Sequence, residues 1–160
     1  MLASFTLMHV VISLAGIVSG FAVIGGFMTR RRSDRVNAFF LITTVATSVT
    51  GFLFPVERFL PSHAVGILSL AVLTVAIVAW RHNLAGSWRT AYVITAIAAQ
   101  YFNVFVLVVQ IFAKTPALKA LAPTQSEQPF VITQGIVFAL FLIVGVAAVR
   151  RFRAEPALAT

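Results

Sequence analysis

Residues 5–28 read FTLMHVVISLAGIVSGFAVIGGFM, and TRRR follows at once. A hydrocarbon core about 30 Å thick takes roughly 20 apolar residues in a helix, so this uncharged run closed by arginines predicts a membrane-spanning helix with a headgroup anchor. Four further runs follow the same pattern, each bounded by charge, proline or a polar cluster, at about 36–54, 64–80, 91–112 and 130–149. The expected fold class is all-α: a polytopic integral membrane protein built as a five-transmembrane-helix bundle. With 160 residues, five helices and their turns use nearly the whole chain, which predicts a single membrane domain over 1–160.

Composition agrees without reference to these windows. Hydrophobic residues make up 60% and charged residues 10%, and the mean hydropathy is +1.00, whereas soluble domains carry about 25% charge. Absence of cysteine excludes disulfides, thiolate metal sites and cysteine nucleophiles.

The net charge of +8 resembles a nucleic-acid signal only until its distribution is read. Arg30, Arg31, Arg32 and Arg35 follow the first run, Arg81 and Arg89 separate the third and fourth, and Arg150, Arg151 and Arg153 follow the fifth. The other set of connections holds Arg58, Lys114 and Lys119. The positive-inside rule then puts the amino terminus outside and the carboxyl terminus in the cytoplasm, with the arginines read as topology determinants at a lipid surface rather than a nucleic-acid patch. Secretory signals begin with positive charge and end in a small-residue cleavage site. Met1 to Met8 is uncharged and the arginines come after the run, which predicts an anchor that is retained.

The breaks between runs are short. Ser33 and Asp34 are suited to cap the second helix, Pro55 ends it, and Pro61 and Ser62 start the third, predicting an outer hairpin with Glu57 and Arg58 paired at the interface. Trp80, Trp88 and Tyr92 read as headgroup-level anchors. The outer loop at about 113–129 is longer than a turn requires. Its first half predicts a short interfacial helix with Leu118 and Leu121 toward the membrane, and its second half an extended polar stretch.

Polar residues inside the runs supply the candidate sites, because they face protein rather than lipid. At about 100° per residue, His9, Ser13, Gly16 and Gly20 share one face within about 60°. Gly16 and Gly20 have the spacing that lets helix backbones approach closely, within the chain or between subunits. Thr43, Thr44, Thr47, Ser48 and Thr50 line the second run and can bond to the preceding turn of their own helix. Gln100, Asn103 and Gln110 fall within about 80° on the fourth run, and their amides need partners elsewhere. Gln134 lies at a similar outer depth. A face made of Ser13, Thr47, Thr50, Asn103, Gln110 and Gln134 is either interhelical packing or the lining of an outer-half cavity.

Chemistry is weakly encoded. His9 and His63 are the only candidates to bind a cofactor, a haem or quinone, and no spacing supports them. No metal set is expected, since HxxxH, paired intramembrane carboxylates and cysteine are all missing. Ser62 beside His63 lacks an orienting third group, so no enzyme is expected. In size and layout the chain resembles small multi-pass proteins of bacterial inner membranes. It lacks the histidine pattern of cytochrome b561 proteins and the cysteine pair of membrane thiol oxidoreductases. The expected role is non-enzymatic helix association, as an accessory or assembly subunit or a homo-oligomer, with the bilayer, other membrane proteins or itself as partners and no nucleic acid. A carrier, channel or sensor with an outer polar cavity, and a haem or quinone subunit, are the alternatives.

Overall fold

The computed structural model describes residues 2–55 and 61–152; Glu57, Arg58 and Arg153, with the pairing expected of the first two, lie outside them. The described residues form six helices: α1 (Leu2–Thr29), α2 (Asp34–Gly51), α3 (Pro61–Arg81), α4 (Ser87–Lys114), α5 (Pro116–Leu121) and α6 (Gln128–Arg151). In lipid every backbone polar group must bond internally, so β-branched runs that would favour strands in water are held helical. Proline sets the starts of α3 and α5 and stands at the second position of α6, where its missing N–H is not needed.

Four helices, α1, α3, α4 and α6, are long and apolar enough to cross a membrane. α2 falls outside that set for a physical reason: Asp34, Arg35 and Asn37 open it and five hydroxyls follow. Its polarity is one-sided. Asn37, Thr43 and Thr44 are buried, while Phe39, Ile42 and Val49 point outward at 52%, 67% and 45% exposure.

The helices alternate in direction. α1 packs along α2, and α3 along α4, while α4 also meets α1, α5 and α6 and so sits at the centre. Most of the buried apolar core lies toward the end where α1 stops, around Phe27, Phe40, Leu73, Tyr92, Ala96 and Phe152. A smaller cluster at the other end joins Phe112, Ala122 and Phe130, with the two phenyl rings edge to face at 5.3 Å.

The turns explain how tight the basic end is. α1 closes with Arg30 at φ 58°, and the Arg31 amide donates to Gly26 O at 2.9 Å. This is a Schellman closure with arginine where glycine is usual. Between α3 and α4, Asn83, Leu84 and Gly86 all have positive φ, and the strain at Leu84 is offset by a side chain only 1% exposed. The Arg89 guanidinium donates to the carbonyls of Val149, at 3.2 Å, and Phe152, covering the end of α6.

Three local expectations are corrected. Ser33 occupies the N-cap of α2 but makes no side-chain cap bond. The Asp34 carboxylate instead accepts from Arg32 Nε at 2.6 Å and Trp80 Nε1 at 3.4 Å. Tyr92 is not an interfacial anchor: it is fully buried, because α1, α2 and α4 converge on its ring.

Candidate functional site

Placing the polar residues on these helices produces one buried seam along α1, α2 and α4, about 20 Å long from Asn37 to Thr50 at 1.5 Å per residue. It begins near the basic end, where Tyr92 Oη donates to Asn37 Oδ1 at 2.9 Å. Further along, Gln100 Nε2 donates to the Ile17 carbonyl at 2.8 Å. Asn103 Nδ2 reaches Thr44 Oγ1 at 3.2 Å and Gln100 Oε1 at 3.4 Å. The seam ends at His9, whose Nδ1 lies 2.8 Å from Thr50 Oγ1.

Two of these approaches depend on glycines of α1. Gly20 leaves the notch that Gln100 fills: a Cβ there would stand 2.0 Å from Gln100 Oε1 and 2.9 Å from Phe40 Cε2. Gly16 brings α1 against α2, with Thr43 and Thr44 Oγ1 each 3.4 Å from where its Cβ would be. Both glycines therefore pack within the chain. Thr50 donates its one proton to Ala46 O at 2.7 Å, so His9 is assigned as the donor at Nδ1, with Phe54 edge-on to its ring at 5.1 Å.

Most of the remaining hydroxyls find a partner. Ser13, Ser19 and Thr43 donate to carbonyls three or four residues back at 2.7–3.2 Å, and Ser48 bonds Ser69 of α3 at 3.1 Å. Two buried atoms have no partner among the described residues, Thr47 Oγ1 and Gln134 Oε1.

The sequence-derived candidates thus separate into different interfaces. His9, Ser13, Gly16, Gly20, Thr50 and Asn103 share the seam. Gln134 belongs to the α4–α6 contact, where its Nε2 donates to Phe105 O at 3.1 Å. Gln110 is exposed on α4. His63 of α3 stacks at a tilt, 5.5 Å from Phe52, whereas His9 meets Thr50. Among the described residues no three histidines or carboxylates come together as a metal set. Sequence reasoning missed Asn37 and the role of Tyr92; the signal for Asn37 was its seven-residue spacing from Thr44, which keeps both on one face of α2.

Outside the seam the flanks of the bundle are largely apolar. Two grooves of about 600 Å³ each run between neighbouring helices, one at Leu41, Val45 and Trp80 between α2 and α3, the other at Ile97, Tyr101 and Phe141 between α4 and α6. In the outer loop, the Glu127 carboxylate accepts from the Thr124 amide and hydroxyl at 3.1 and 2.8 Å and from the Ser126 amide at 3.1 Å. Desolvation is the largest single influence and raises its pKa, but these bonds together outweigh it and hold the group below its usual value.

Searched as a whole, the chain matches no protein-family model, no curated protein and no solved structure.

Proposed function

We propose that this protein acts without catalysis, by helix association in the membrane, as an accessory or assembly subunit of a larger complex or as an assembly of its own copies. The observation that carries this reading is α6. Of an 18-residue apolar stretch of α6 only 11% is buried, against 33% for α4. Its outward face presents Ile132, Gly135, Ile136, Ala139, Ile143 and Val146, with the two small residues in the middle, the arrangement on which transmembrane helices pack closely. The seam supports the same reading over a carrier, since most of its amides and hydroxyls are spent on bonds within the bundle.

In this proposal α2 is a fifth span, its 18 residues covering about 27 Å, with hydroxyls inward and apolar side chains toward lipid. The amino terminus is outside. Support comes from the bundle itself: Arg30, Arg31, Arg32, Arg35, Arg81, Arg89, Arg150 and Arg151 gather at one end, and Lys114 and Lys119 at the other. The membrane is a plasma membrane, and by likeness of layout a bacterial inner membrane.

Gly135→Leu tests association cleanly, because a Cβ at Gly135 meets nothing within 4 Å. Native mass spectrometry of gently extracted wild type should show added protein mass, either multiples of 17.3 kDa or a different subunit. The variant should lose that mass with its helicity unchanged; an assembly that survives Gly135→Leu refutes the α6 face.

A further inference from the structure

The α4–α6 groove differs from an ordinary crevice in two ways, its charge and its length. It is lined by apolar and aromatic side chains except at one mouth, where Arg150 lines it and is exposed. Among the described residues the sole ion pair is Arg32 with Asp34, so Arg150 has no carboxylate partner there. Along α6 the groove runs from Arg150 to Phe138, about 18 Å at 1.5 Å per residue. It stops at Tyr101 and Phe102, near the middle of the 28-residue α4. Half of a hydrocarbon core is about 15 Å. The groove therefore spans one leaflet, from headgroup level on the basic side to the midplane.

A partner helix crossing the membrane would continue past Tyr101; an acyl chain ends there. We propose that the α4–α6 groove is a binding site for an anionic phospholipid of the basic-side leaflet, with one acyl chain along Ile97, Tyr101, Phe138 and Phe141 and its phosphate at Arg150. Arg89, whose Nη1 donates to the carbonyls of Val149 and Phe152, does not line the groove, which leaves Arg150 as the phosphate contact. Attraction between one arginine and an anionic surface corresponds to about five-fold in affinity.

The test uses the full chain reconstituted in vesicles of equal parts phosphatidylglycerol and phosphatidylcholine, extracted in mild detergent and measured by native mass spectrometry for retained lipid. Wild type should retain phosphatidylglycerol in preference to phosphatidylcholine. Arg150→Gln should reduce that preference about five-fold, while Arg31→Gln, at the same end but off the groove, leaves it unchanged. Gly145→Leu fills the groove floor, where a Cβ meets only Ile97 Cγ2 at 3.8 Å, and should lose both lipids while helicity is kept. Equal retention of the two lipids by wild type, an equal loss in Arg150→Gln and Arg31→Gln, no loss in Arg150→Gln, lipid retention unaffected by Gly145→Leu, or a bound protein in place of lipid would each overturn the site.

Discussion

Substituting Gly20 by alanine tests the seam at its tightest point. The added methyl would stand 2.0 Å from Gln100 Oε1 and 2.3 Å from Cδ, with Phe40 Cε2 at 2.9 Å behind. The amide is the end of a flexible side chain and can swing aside, but doing so gives up the bonds to Ile17 O and from Asn103. Gln100 and Phe40 are both fully buried, so neither moves into open space. Hydrogen bonds between transmembrane helices contribute about 0.6 kcal/mol on average, and overpacking costs about 1–3 kcal/mol. Gly20→Ala should therefore destabilise by about 2–3 kcal/mol. The same helix supplies its own controls. Gly16→Ala meets hydroxyls at 3.4 Å and should cost little, and Gly25→Ala meets nothing within 4 Å and should gain up to about 1 kcal/mol of helix propensity. Unfolding by sodium dodecyl sulfate in mixed micelles, followed by circular dichroism, ranks the three. The double variant Gly20→Ala, Gln100→Ala should cost less than the sum of its parts by at least about 1 kcal/mol. Equal stability of the Gly20 and Gly25 variants, or strict additivity in the double variant, would falsify the notch.

Other perturbations probe separate contacts. Tyr92→Phe removes the hydroxyl that donates to buried Asn37 and should cost about 1–2 kcal/mol in the same assay; an unchanged midpoint refutes that bond's contribution. Arg30→Gly relieves a left-handed φ of 58° and should stabilise by up to about 1 kcal/mol, read as a raised midpoint, with a fall pointing instead to a role for the arginine head. Because the Glu127 pKa is lowered from 4.5 in the folded chain, its contribution to loop order is present above that value and is lost as pH falls through the lowered one. Amide resonances of Thr124 and Ser126 should shift together in that acid window, and titration at 4.5 or above counts against the bonds.

What was legible in the sequence follows from what hydropathy measures. It reports where a residue lies along the membrane normal, so every apolar run became a helix, longer by one to four residues at most ends. The 100° arithmetic also placed His9, Ser13, Gly16 and Gly20 on one face of α1, and His9, Gly16 and Gly20 lie against α2 or α4. It could not give partners, since neighbouring helices are set by contacts between distant segments. Gln100 and Gln110 share an arc on α4, yet Gln100 meets Ile17 of α1 while Gln110, almost three turns on, is exposed. Tyr92 failed for a related reason: an aromatic with a polar tip suits a headgroup or a buried acceptor equally, and only Asn37 across the bundle decides between them.

The Gln100 notch also orders events in time. Its floor, the Ile17 carbonyl, and its occupant are 83 residues apart, and chains lengthen at about 5–20 residues per second, so roughly 4–17 s of synthesis separate them. Through that interval α1 and α2 can already join at Gly16 and His9, with the gap beside Gly20 still open. The amide of α4 closes it last, which makes arrival of the fourth helix the step that locks the first two.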